Sequence, residues 1–166
     1  TAMPLAHADV NDFTINKFLA DYTLTSSNKH GELKVTEAID LTYTDYNHGI
    51  LRAIPNDYNH HSLQLHDVRV SSPSGAPAQF TTYQSGGNTV LKIGSPSQTI
   101  TGNQQYVINY TVDNVIGFYP DHDELYWDIN GDQWAQPFGE VSVALHLPNN
   151  LHLSSNQPTC YTGAYG

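Results

Sequence analysis

Along most of the chain apolar and polar residues alternate with a period of two, and no stretch carries the three-to-four spacing of an amphipathic helix. In "YTLTSSNKHGELKVTEAIDLTYT" the residues Leu33, Val35, Ile39, Leu41 and Tyr43 fall on one face, and the polar run ending at Gly31 supplies turn chemistry, so the pattern predicts a β-hairpin. Glu37, between Val35 and Ile39, reads as a polar-phase residue that its neighbours bury in part. "HSLQLHDVRVSS" alternates Leu63 with Leu65 and then Val68 with Val70, and its one-residue slip at His66-Asp67 is what a β-bulge produces. "TVLKIGS", "QQYVINYTVDN" and "EVSVALHLP" add short strands bounded by Pro, Gly, Ser and Asn. Parallel pairs need long crossovers, and no helical pattern supplies them. The expected fold class is therefore all-β, an antiparallel β-sandwich of immunoglobulin-like or related topology.

The length changes this picture only by limiting it: 166 residues suit one domain with a real core. Residues 9–155 are assigned to the sandwich. Residues 1–8 read as the end of a signal peptide or a linker, because Ala6-His7-Ala8 places small residues where signal peptidase accepts them. Residues 156–166 read as a segment leading to a downstream region. Six Lys and Arg against 16 Asp and Glu give a formal charge of −10, which repels phosphate backbones and argues against nucleic acid as a partner. Cys160 is the single cysteine, so neither an internal disulfide framework nor a cysteine-rich zinc site is open to this chain.

The chemistry-bearing residues concentrate in "DHDELYWDINGDQW", residues 121–134. An EF-hand starting at Asp128 fails, since its twelfth position, where a bidentate Glu is required, is Gly139. An irregular calcium site using Asp121, Asp123, Glu124 and Asp128 is the one cofactor alternative; otherwise no cofactor, no metal and no catalytic residue is expected. The preferred reading is structural: "YPDHDE" as a turn, "LYWDI" as a strand with Leu125 and Trp127 facing opposite ways, and "NGDQ" as an Asn-Gly turn. A glycosidase-like acid pair would have to come from Glu37 and Glu124. Arg52, inside "HGILRAIP", is the natural cation for one of them, so an ion pair from Arg52 to Glu37 or to Glu124 outranks catalysis. His60 and His61 point to opposite faces of a strand, and with His66 they are expected in surface loops rather than around a transition metal. No G-x-S-x-G elbow supports a hydrolase triad.

Several ordered motifs now carry a resemblance. Val35-Thr36-Glu37, His48-Gly49-Ile50 with Arg52 and Ile54-Pro55, Tyr106 with Tyr110, Glu124-Leu125-Tyr126-Trp127 with Gly131 and Trp134, and Cys160 with Gly163 are similar to the N-terminal extracellular region of the bacterial predicted membrane proteins catalogued as domain of unknown function 2207. The resemblance spans most of the chain and is weakest over residues 56–96. It implies a secretory signal, a β-rich domain on the extracellular side of the cytoplasmic membrane, and transmembrane helices downstream that supply the membrane association. It also implies a second cysteine shortly after Gly166 that pairs with Cys160. The expected function is a non-catalytic binding, sensing or scaffolding module with a protein or cell-wall partner; the alternatives are a carbohydrate-binding module at the cell wall and a secreted enzyme with a carboxylate site. Glu37, His48, Arg52, Glu124, Trp127 and Asp128 form the expected structural or ligand-contact cluster.

Overall fold

The computed structural model describes residues 11–26, 29–58, 60–153 and 158–163. The signal-peptide or linker assignment for residues 1–8 lies outside them, as do residues 156, 157 and 164–166 of the expected C-terminal segment. Among the described residues the chain is all-β. A hairpin joins β1 (Phe13–Thr25) to β2 (Glu32–Asn47), and Gly31, at φ 73°, occupies the left-handed conformation that closes it. β3 (Gly49–Pro55) follows directly, then the short β4 (Asp57–Tyr58) and β5 (His61–Ser62). Next come β6 (Gln64–Ser71), β7 (Phe80–Ser85), β8 (Asn88–Gly94) and the long β9 (Ile100–Asp113). β10 (Ile116–Phe118), β11 (Asp123–Leu125) and β12 (Val141–His146) complete the order.

Five strands form one sheet in the order β12-β1-β2-β9-β6, and three form another in the order β3-β8-β7. A single apolar cluster joins them: Phe18, Tyr22, Ile39 and Ile108 of the larger sheet bury with Ile54 and Leu91 of the smaller. The arrangement is sandwich-like, as the alternating pattern predicts. The slip at His66-Asp67 is a bulge, with the β6–β9 register shifting between His66 and Arg69 and Asp67 at φ 53°.

Four expectations are corrected. β12 runs parallel to β1, from Phe18↔Val141 to Thr23↔His146, so the sheet is mixed. The chain that leads to it is irregular rather than helical: residues 126–140 run from the end of β11 to the far edge and are pinned there by the Ile15↔Phe138 bridge and by Gly139 N–H donating to the Ile15 carbonyl at 2.9 Å. "LYWDI" is not a strand, because β11 ends at Leu125, and Leu125 and Trp127 both rest against the core instead of facing apart. Glu37 is not on the polar phase; it stands in register with Leu33, Val35, Ile39 and Leu41 on the inner face and is fully buried. His66 lies in β6, not in a loop.

Candidate functional site

The inner face of β2 is apolar except at Glu37, and a carboxylate there must find donors or be lost from water at a cost of several kcal/mol. Arg52 provides them from the opposite sheet. β3 buries Ile50, Arg52 and Ile54 on alternate positions, which aims the guanidinium across the core. Its Nε donates to Glu37 Oε2 at 2.8 Å and its Nη2 to Oε1 at 2.7 Å, a bidentate fork, while Nη1 donates to the Ala53 carbonyl at 2.6 Å. Tyr110 on β9 completes the set, donating its hydroxyl to Glu37 Oε1 at 2.6 Å. The guanidinium carbon lies 5.7 Å from the centre of the Phe18 ring. Glu37 and Arg52 are 0% and 1% exposed, so this is a charge pair sealed inside the domain.

Electrostatics follow from the sealing. Burial alone would lower the Arg52 pKa, but the adjoining Glu37 carboxylate outweighs it and holds the guanidinium charged well above its ordinary range. Burial, then the Glu37 charge, raises Tyr110 well above the usual phenol value. Tyr22 is raised by the same two causes.

The stretch 121–134 closes the cluster from outside. Tyr119 to His122 form the turn of the β10–β11 hairpin, with Tyr119 N–H donating to the His122 carbonyl at 2.9 Å. Beyond it, the Tyr22 hydroxyl donates to the Ile129 carbonyl at 3.1 Å and Asp128 N–H donates to the Tyr58 hydroxyl at 3.0 Å. Trp127 meets Tyr22 and Tyr58 edge-on. Asp128 Oδ1 accepts from Gly131 N–H at 3.1 Å, which folds the chain so that Gly131, at φ 77°, lies against Arg52. A Cβ at Gly131 would meet Arg52 Nη1 at 2.6 Å.

The structure thus brings Glu37, Arg52, Trp127 and Asp128 into one neighbourhood and leaves His48 and Glu124 apart from it in role. His48 Nδ1 lies 2.8 Å from the Ser95 carbonyl and 3.0 Å from that of Gln98, so this nitrogen carries the proton and ties the β2–β3 corner to the 95–98 loop. Glu124 lines a cavity of about 20 Å³ with Tyr58, His61, Asn114, Tyr119 and Tyr126. Arg52 therefore chooses Glu37, not Glu124. Asp121, Asp123, Glu124 and Asp128 do not converge: Asp121 contacts His122 at 2.8 Å, which lowers its pKa, and Asp128 serves its turn. Among the described residues the three-member group of metal-ligand type is Glu32, His66 and Asp113 instead. Tyr110 was not legible as a partner of Glu37. It pairs with Val35, and its reach to Glu37 is a diagonal across the ladder that requires the register.

Fold and site together define an all-β domain whose interior is organised by a sealed, bidentate ion pair. The chain belongs to the family described as predicted membrane protein (DUF2207), N-terminal domain, which matches residues 14–163. A search of the curated proteins found no match. Solved structures with partial likeness include native yeast LTA4 hydrolase, at 16% identity and TM-score 0.39, covering 62% of this chain and 15% of the hydrolase. A mutant two-domain M1 zinc metallopeptidase bound to L-arginine shows 9% identity and TM-score 0.48, covering 83% of this chain and 33% of that one. The chain spans a third or less of either structure, and likenesses at these scores carry no argument.

Proposed function

We propose that the chain is a non-catalytic extracytoplasmic module of a membrane-anchored protein that binds, senses or scaffolds. The observation that carries this reading is the closure of the Glu37–Arg52–Tyr110 cluster. Both carboxylate oxygens are occupied by donors, no face of the pair meets solvent, and an acid so held has no route to a substrate. The small hollow beside Glu124 has room for about one water. The broader hollow of about 430 Å³ at Gly75, Pro77, Gln98, Thr99 and Ile100 offers no titratable side chain. Family membership supports the membrane link, and the Tyr-, Thr- and Asn-rich β-surface suits the outer side. Protease treatment of intact cells making the full-length protein tests the placement: the domain is expected to be cleaved before lysis, and protection until lysis would overturn it.

A second reading has a specific observation behind it. Tyr119 and Tyr126 stand exposed around the Glu124 hollow, with Asn114 and His61 beside them, an arrangement of rings and hydrogen-bonding groups that suits a pyranose. Co-sedimentation with insoluble cell-wall glycan, lost in Tyr126→Ala, would favour this sugar-binding form of the module.

A further inference from the structure

On the outer face of the larger sheet three neighbouring strands bring three ligand-type side chains to one end. Glu32 on β2 and Asp113 on β9 are direct cross-strand partners, and His66 on β6 stands beside them just before the bulge. One oxygen or nitrogen of each lies within 4.8 Å of the others. Carboxylates directly opposite each other repel, and a cation held between them would relieve the repulsion. Lys34 approaches Glu32 Oε1 at 3.6 Å from solvent, a contact on the Glu32 side of the group.

The histidine is poised toward the carboxylates. The bulge sets Asp67 at φ 53°, and its Oδ2 lies 3.0 Å from His66 Nδ1, a contact that orients the ring. The other nitrogen, Nε2, is enclosed, makes no well-formed hydrogen bond, and lies 3.3 Å from Asp113 Oδ2. Carboxylate, imidazole and open Nε2 in sequence are how a protein orients a histidine toward a metal. Thr25 donates to Glu32 Oε1 at 3.1 Å and steadies the second ligand.

We infer that Glu32, His66 and Asp113 form a binding site for a divalent transition cation of the zinc type, with Asp67 orienting the histidine. The donor set decides the class. One imidazole nitrogen and two carboxylates suit zinc with a water in the fourth position, whereas calcium seeks six to eight oxygens. Movements of about 1 Å bring the three atoms to the separations found around a tetrahedral ion with bonds near 2 Å. The ion ties β2, β9 and β6 together where the β1–β2 hairpin turns.

The test is titration of the full 166-residue chain with ZnCl2 in metal-free buffer, read by calorimetry and by thermal unfolding. One equivalent is expected to bind and to raise Tm by several degrees at saturation, with Mg2+ and Ca2+ giving no shift. His66→Ala and Asp113→Asn should abolish the shift while keeping the metal-free Tm. Asp67→Asn, which leaves all three ligands in place, should weaken binding by about 10- to 100-fold. The double variant His60→Ala/His61→Ala should bind as the wild type does. Absence of a zinc-dependent Tm shift, or zinc binding undiminished in His66→Ala, overturns the assignment and leaves His66 a proton-sharing partner of Asp67 and Asp113.

Discussion

Glu32 and Glu37 stand five residues apart on β2, both opposite β9, yet on opposite faces of the sheet. Glu37 enters the core, where a lone carboxylate is prohibitive, and the other sheet supplies an arginine and β9 a tyrosine to satisfy it. Glu32 stays on the outer face, where Thr25 and Lys34 meet its Oε1, and its partner across the ladder is another acid, Asp113. The difference teaches that one strand pair can hold a closed charge and an open one. The closed pair is tied to the fold, because its partners come from both sheets. The outer-face group is the one we assign to a cation, because a further partner can come from solution.

The comparison breaks most sharply at Arg52. Arg52→Ala leaves Glu37 in the core without its cation, with Tyr110 as its remaining donor, and is expected to lower stability by about 3–5 kcal/mol in urea unfolding. The triple change Glu37→Leu, Arg52→Met, Tyr110→Phe removes every polar group together and is expected to recover most of that loss. Wild-type stability in Arg52→Ala would mean that the pair is not what joins the sheets.

Alkaline pH acts next. Tyr22, Tyr58 and Tyr110 are raised above their ordinary value of 10.0, chiefly by burial. A raised folded pKa means that the folded state keeps protons the unfolded chain releases. The contribution is therefore full below pH 10, and is lost as pH rises from the unfolded value through the raised folded ones. Unfolding free energy is expected to fall steeply above about pH 10, and Tyr110→Phe should flatten that slope.

Smaller effects sharpen the contrast. At neutral pH Tyr110→Phe removes one hydrogen bond to a charged acceptor and should cost about 1.5–3 kcal/mol by denaturant titration. Gly131→Ala forces a left-handed alanine against Arg52 Nη1 and is expected to cost about 1–3 kcal/mol. On the outer face the sign reverses. Glu32→Gln relieves a like-charge pair and should stabilise the metal-free domain by a few tenths of a kcal/mol, while abolishing the zinc-dependent gain in Tm. A loss of several kcal/mol there would show that the fold depends on Glu32 as strongly as on Glu37.

Much of the scaffold was legible because its signals are local. The hairpin turn at Gly31 and the bulge at His66-Asp67 follow from period-two counting within a dozen residues. The same counting holds the remedy for two misplacements. Glu37 shares its phase with Val35 and Ile39, and Leu125 shares its phase with Trp127, so both were readable as inward positions. The Arg52–Glu37 pair was reachable from the scarcity of cations and the apolar flanks of Arg52. Its choice of Glu37 over Glu124 was not, since both acids lie in family-like motifs and only the crossing of β3 over β2 separates them.

What the sequence by itself determined is the alternation, the turn residues, the net charge and the need of each buried polar group for a partner, all of which depend on neighbours along the chain. Tertiary structure decided which partners meet. β12 lies parallel to β1 because the chain before it docks on Ile15 through Phe138 and Gly139, a destination set by tertiary contacts and not by local pattern. Tyr110 reaches Glu37, and Asp113 faces Glu32, because β2 and β9 adopt one register out of many, and a shift of a single residue would exchange the two faces. Register is fixed by the sum of apolar contacts over the whole ladder, and so the chemistry at both clusters follows from residues far from either.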